Sequence, residues 1–167
     1  MEIKGSVADV GGLFWSAKGR TKTWDVSLYD IWDVKASRDH NFASYVHDFN
    51  RPIDEPTAPA YDNAFCIEVT DHLWNPVQAF QNINSILKTG GMLYISSNFL
   101  FPHHTGFDCI RLTSTGLKKI LEETGFEVLS IQPRKAVDGT MEEAMNKESK
   151  VAYHPGDIGY MCEAKKI

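Results

Sequence analysis

The 167-residue chain has no apolar run near the ~18 residues that a membrane-spanning helix requires. Nor does an apolar segment follow Lys4 near the amino terminus, so neither a membrane anchor nor a secretory signal is expected. Cysteine is scarce: Cys66, Cys109 and Cys162 are odd in number and lack CxxC spacing, which argues against a disulfide framework. Reduced thiols and a cytoplasmic location are the reading that follows. Basic charge is not in excess either. Seventeen Lys and Arg against 22 Asp and Glu leave a net charge of −5, without the broad basic face that binds a phosphate backbone. Nucleic acid is therefore not the expected partner. HExxH and similar tight ligand patterns are missing, and the looser set Glu68, Asp71, His72 and His103 does not make a metal site the expectation. Internal repeats and low-complexity tracts are absent as well.

What is present is an ordinary globular composition, 43% hydrophobic and 23% charged, in a length suited to one domain over residues 1–167. Short apolar runs recur, each ending on an acid: Val7-Ala8 on Asp9, Val26-Ser27-Leu28-Tyr29 on Asp30, Tyr45-Val46-His47 on Asp48, and Phe65-Cys66-Ile67 on Glu68. A step near twenty residues leaves room for a strand and a crossover, the unit of a parallel α/β sheet. Asn75-Pro76 then signals a helix start, and Leu73, Val77, Phe80, Ile83, Ile86 and Leu87 recur at helical spacing until Gly90-Gly91. Met92–Ser97 reads as a central strand. Thr113 or Ser114 caps a second helix bearing Leu117, Ile120 and Leu121, ended by Gly125 with Phe126 behind it. Val128–Ile131 and Ile158–Ala164 complete seven strands, and a short helix is expected around Met141–Met145.

Ligands of open α/β sheets bind outside the carboxyl ends of the strands, where a carboxylate can accept from ribose hydroxyls or an exocyclic amine. Asp also favours such places simply as a turn former. The order and spacing of several segments resemble the class I S-adenosylmethionine-dependent methyltransferases of the Rossmann-like "type 11" group. Carrying the resemblance are Tyr61–Val69 with Asp71-His72-Leu73, Leu87-Lys88-Thr89-Gly90-Gly91 leading into Met92–Ile95, and Pro102-His103-His104 with Asp108, Arg111, Thr113 and Gly125-Phe126. It extends over residues 6–165. The resemblance implies a mostly parallel seven-stranded sheet with an antiparallel last strand, 158–164, next to the fifth or sixth, and helices on both faces.

It also implies roles. Asp9, Gly11 and Gly12 match the glycine-rich turn that holds the methionyl end of S-adenosylmethionine. Asp30 matches the acid on the ribose hydroxyls, Asp48 with the Phe49 backbone matches the adenine site, and Glu68 lies where the fourth strand opens towards the sulfonium. The chain departs from the pattern at Leu13 and Trp15, which stand where the family has glycine. The Ser16–Lys22 stretch after this turn is polar, short and broken by Gly19. His103 and His104, in the loop Asn98–Leu112, are the candidate bases, since a neutral imidazole can take a proton near pH 7. The four tryptophans, Trp74 among them, read as core or crevice walls. The implied activity is methyl transfer to a small polar acceptor, such as a sugar or related metabolite, with a second copy or a partner subunit completing the site. The alternative is a related protein that has lost catalysis and serves as a binding or partner subunit. A nicotinamide oxidoreductase fits less well, because GxGxxG is missing.

Overall fold

In the computed structural model, residues 2–14, 16–38, 41–53, 60–100, 103, 106–135 and 157–167 are described. The strands are β1 (Glu2–Val10), β2 (Thr23–Asp33), β3 (Ser37–Arg38), β4 (Asn41–Phe42), β5 (Tyr45–Val46), β6 (Tyr61–Ile67), β7 (Leu87–Asn98), β8 (Phe126–Lys135) and β9 (Asp157–Lys166). Among the described residues two α-helices, α1 (Pro76–Ile86) and α2 (Ser114–Glu123), and one 3-10 turn, Thr70–His72, interrupt them. Seven strands form one sheet in the order β5-β2-β1-β6-β7-β9-β8. All pairings from β5 to β7 are parallel, and β9 enters antiparallel between β7 and β8. The expected central strand 92–97 is the middle of β7. The expected last strand touches both the fifth and the sixth parallel strands, β7 and β8, because β9 lies between them. The remaining pair, β3 and β4, is a small antiparallel hairpin after β2.

Local chemistry sets the helix boundaries. The Asn75 side chain accepts from the Gln78 N–H, and Pro76 occupies the first helical position, where its missing N–H costs nothing. α1 ends at Ile86, earlier than the Gly90-Gly91 pair predicts, because Leu87 already turns to extended geometry and joins β7. Thr113 caps α2 by accepting from Gly116 N–H at 3.0 Å. Gly125, at φ +86°, takes the left-handed turn behind that helix, and Phe126 packs in the core.

Both helices bury their apolar stripes on the same side of the sheet. Ala79, Phe80, Ile83 and Ile86 of α1 and Leu117 and Leu121 of α2 pack with Ala64, Cys66, Leu93, Ile95 and Cys162. Each fully buried large side chain there is worth roughly 1.5–3 kcal/mol. A second cluster on the opposite side contains Ile3, Val7, Ala17, Phe65 and Tyr94, with no helical residue among those described. Helices on both faces were expected; among the described residues, α1 and α2 both lie on the first face. Between β1 and β2 the chain is too polar and too short to supply an amphipathic stripe, so it crosses as irregular loop. Aromatic rings take over the cover: Phe65 stacks on Tyr94 at 5.2 Å and on Trp24 at 6.3 Å. Trp74 is not a wall of the core, being more than half exposed. No helix among the described residues is long and apolar enough to cross a membrane.

Candidate functional site

Parallel register brings the carboxyl ends of β1, β2, β5, β6 and β7 to one edge. Val10 lies beside Trp32 and Cys66, Cys66 beside Ile95, and Asp33 beside Val46. The turn after β1 starts with Gly11 at φ +76°, a conformation that glycine adopts without strain, and its N–H donates to the Trp32 carbonyl at 2.7 Å. A Cβ at Gly11 would collide with the Val69 side chain, and one at Gly12 would collide with the Asp9 carboxylate. Leu13 is buried; its N–H donates to Asp33 Oδ2 at 3.4 Å and its carbonyl accepts from Asn41 Nδ2 at 3.4 Å.

Asp9 holds this turn from below. Its carboxylate is buried, accepts the Ala17 N–H at 2.7 Å, and is bonded by the Tyr29 hydroxyl, which also lies 2.6 Å from Ser16 Oγ. Burial pushes the Asp9 carboxyl up to about 6, although the Tyr29 and Ala17 donors pull the other way.

β2 does not stop at Asp30. It runs on through Ile31 and Trp32 to Asp33, and Asp30 is engaged by the Tyr61 hydroxyl at 2.8 Å. Tyr61 is fully buried and in turn accepts from Trp32 Nε1 at 3.3 Å. The carboxylate at the strand end is therefore Asp33, which also accepts the Lys35 N–H at 3.3 Å. This corrects the placement of Asp30. The overlooked signal is the apolar pair Ile31-Trp32, which continues the strand for one more turn of the pleat. Asp48 lies where expected, two residues past β5. Its Oδ1 accepts both the Asn50 N–H at 3.0 Å and Asn50 Nδ2 at 2.9 Å, and Arg51 Nε is 3.6 Å from Oδ2. Phe49 beside it is buried, edge-on to Trp32, which stacks on Tyr45 at 4.3 Å.

Glu68 directly follows β6 with φ +57°, the one non-glycine residue with positive φ among those described. Its carboxylate accepts from Ser96 Oγ at 2.5 Å, from Asn98 Nδ2 at 2.7 Å and from the Arg134 guanidinium. Arg134 Nη2 also donates to Asn98 Oδ1 at 3.1 Å. Burial raises the Glu68 carboxyl, but Arg134, Ser96 and Asn98 together outweigh it and hold the group below its ordinary value. Ser96, Asn98 and Arg134 were not anticipated, because pairing across three strands leaves no local pattern.

His103 is exposed and lines an open depression of about 260 Å³ with Asp108, Cys109, Ile110 and Arg111. Arg111 and Asp108 form an ion pair within that wall. His72 Nδ1 lies 2.8 Å from the Phe107 carbonyl, and Cys109 N–H donates to the Asp71 carbonyl at 2.7 Å, tying the loop to the turn after β6. His104, Trp15 and the helix expected at Met141–Met145 lie outside the described residues.

Residues 8–131 match the family model described as a methyltransferase domain. The chain belongs to that family. Its fold is similar to a chain from a Haloferax volcanii complex between the Trm112 methyltransferase activator and a candidate methyltransferase. That match has TM-score 0.70 and 18% identity over 99% of this chain and 84% of the other. An S-adenosylmethionine-dependent methyltransferase from Mesorhizobium loti gives 0.68 and 14%, over 99% and 93%. One from Archaeoglobus fulgidus gives 0.67 and 16%, over 98% and 86%. No curated protein matches by sequence. The residues at this edge fit the S-adenosylmethionine that the sequence resemblance implies. Asp33 and Asp48 supply carboxylates at the ends of neighbouring strands, and side-chain-free Gly11 marks the turn beside them.

Proposed function

We propose that the protein transfers a methyl group from S-adenosylmethionine to a small polar acceptor, such as a sugar or related metabolite. The row of acids outside the carboxyl ends of β2, β5 and β6 carries this reading. Asp33 accepts from the ribose hydroxyls, in the role first given to Asp30. Asp48 accepts from the adenine amine, with the Phe49 backbone beside it. Asp9, Gly11 and Gly12 shape the turn next to them. The bound cofactor supplies an electrophilic methyl on a sulfonium, and the protein's task is alignment and exclusion of water. Glu68, kept ionised by Arg134, is a weak base near neutral pH and serves as a fixed negative charge. His103, or His104, takes the acceptor proton. The protein acts in the cytoplasm, on a small molecule and not on nucleic acid or at a membrane.

Calorimetric titration with S-adenosylmethionine tests the reading. Asp33→Ala and Asp48→Ala should each weaken binding by about 1–3 kcal/mol, through loss of a charge-assisted hydrogen bond. Asp30→Ala should leave it within error. With an acceptor in hand, His103→Ala should lower kcat roughly 10²–10⁴-fold at unchanged cofactor affinity if His103 is the base. Full turnover in both histidine variants moves the proton to solvent. One observation favours a second reading, that of a partner subunit without catalysis: Leu13, its side chain buried, stands in the turn where the resemblance expects glycine. A partner protein, as in the Trm112 complex, or a second copy then completes an active site. Absence of any S-adenosylmethionine binding would select that reading.

A further inference from the structure

One buried polar side chain stands out in α1. Asn82 is 4% exposed on a helix whose other inward residues are apolar, and all of its hydrogen-bonding capacity is used. Its Nδ2 donates to the Phe49 carbonyl at 2.9 Å and to the Arg51 carbonyl at 2.7 Å. Its Oδ1 accepts from Gln78 Nε2 at 3.1 Å and from the Ile53 N–H at 3.4 Å. Three of these four bonds go to the backbone of one short segment, residues 49–53, which carries no regular structure of its own.

The same segment is clamped at its other end. Asn50 directs both its backbone N–H and its side-chain Nδ2 at Asp48 Oδ1, and Asn50 Oδ1 accepts the N–H of Asn75, the cap of α1. The Arg51 N–H donates to the Asp48 carbonyl at 2.9 Å. The Asp48 carboxylate is thus aimed by Asn50, and Asn50 is held between Asn75 and the two carbonyls that Asn82 grips. A leucine would suit this face of α1 for burial alone. An amide that saturates two carbonyls and one N–H of the loop fixes where the loop's backbone runs.

We propose that Asn82 is a positioning residue for purine recognition: through the Phe49 and Arg51 carbonyls it sets the Asp48–Arg51 loop so that Asp48 meets the amine of the cofactor's adenine. The inference rests on the adenine role proposed above for Asp48. It adds a residue with no contact to the cofactor.

The test compares S-adenosylhomocysteine with S-inosylhomocysteine, in which a ring carbonyl and N–H replace the amine and its ring nitrogen. Wild-type protein should prefer the adenosyl compound roughly tenfold or more, the size of one charge-assisted hydrogen bond. In Asn82→Ala the adenosyl affinity should fall about tenfold while the inosyl affinity changes less than about twofold, so the preference collapses. A purely structural role for Asn82 would lower both affinities together, or only the melting temperature, and leave the ratio intact; that outcome overturns the proposal. Should Asn82→Ala fail to fold, Asn82→Leu serves instead. It fills the same buried space but has no donor for the two carbonyls, and the same loss of preference is expected. A wild-type protein that binds neither compound, or both equally, overturns the adenine role of Asp48 and the proposal with it. A wild-type preference that both Asn82 variants retain overturns the proposal alone.

Discussion

Asp9 and Glu68 belong to neighbouring parallel strands, one near the end of β1 and the other just past β6, yet the structure treats their carboxyls in opposite ways. Asp9 is almost fully enclosed and meets only neutral donors, the Tyr29 hydroxyl and the Ala17 N–H, so burial dominates and its carboxyl rises to about 6. Glu68 is about half enclosed and meets a guanidinium besides Ser96 and Asn98, so its carboxyl falls below the ordinary value. A carboxylate at a strand end therefore has no fixed character. A cation among its donors decides whether it titrates near neutrality or stays charged throughout. One acid has become a clasp for a loop, the other a charge fixed between β7 and β8.

The largest consequence concerns stability against pH. The folded value of Asp9 lies above its unfolded value of 3.8, so the folded state holds the proton more tightly. The resulting stabilisation is complete below pH 3.8 and disappears as pH rises through 6. A shift of that size is worth about 3 kcal/mol. Urea denaturation of wild type and Asp9→Asn should show their stability difference shifting against wild type by about 3 kcal/mol between pH 3.5 and 7.5. A pH-independent difference would remove one side of the comparison. Glu68 works in the other direction: its folded value is lowered from 4.5, so its contribution is present above that pH and fades as pH falls.

The guanidinium is the second point of attack. Arg134→Met keeps the length of the aliphatic stem but leaves Glu68 with Ser96 and Asn98 alone. Removing one partner of a buried pair costs 3–5 kcal/mol, and partial solvent access here reduces the expected loss to about 2 kcal/mol at pH 7. The cost should shrink as pH falls, because without the guanidinium Glu68 takes up its proton at a higher pH than in the wild type. A double-mutant cycle with Glu68→Gln should return a coupling of about 1–2 kcal/mol. Coupling within error of zero would mean that Ser96 and Asn98, not the cation, hold the carboxylate, and the contrast with Asp9 would no longer rest on charge.

The sequence made some of this visible and hid the rest, for physical reasons. Met92–Ser97 and Ile158–Ala164 were readable because sheet burial imposes local apolar patterns, and the caps Asn75 and Thr113 because helix ends need specific local chemistry. The Ser16–Lys22 stretch, polar and broken by Gly19, has no apolar helical spacing, and none of its residues is helical. Asp30 was misplaced because an acid on an apolar run looks like the strand's end, whereas Tyr61, 31 residues away, accommodates it within the strand. The Glu68–Arg134 pair joins residues 66 apart, and only the order of β6, β7, β9 and β8 brings them together. Asn82 broke the helical apolar pattern, but its partners in the 49–53 segment could not be inferred from α1.

The smallest effect, and the sharpest probe of the Asp9 side, is loss of the Tyr29 hydroxyl. That hydroxyl bonds the Asp9 carboxylate and lies 2.6 Å from Ser16 Oγ, joining β1, β2 and the loop between them. Burial and the adjacent Asp9 charge push the phenol upward, so it remains a donor throughout the pH range of interest. Tyr29→Phe keeps the ring packed near Trp24, at 5.8 Å in the native fold, and removes only the donor. At pH 7.5, where Asp9 is ionised, a bond to a charged group is lost and stability should fall by about 1–2 kcal/mol. At pH 5, where the carboxyl is mostly protonated, the loss should be under about 1 kcal/mol. Because the Tyr29 bond lowers the Asp9 value, the transition that Asp9 imposes should also move above pH 6 in this variant. A uniform loss at both pH values, with the transition unmoved, would mean that Tyr29 acts through packing and that burial alone sets Asp9.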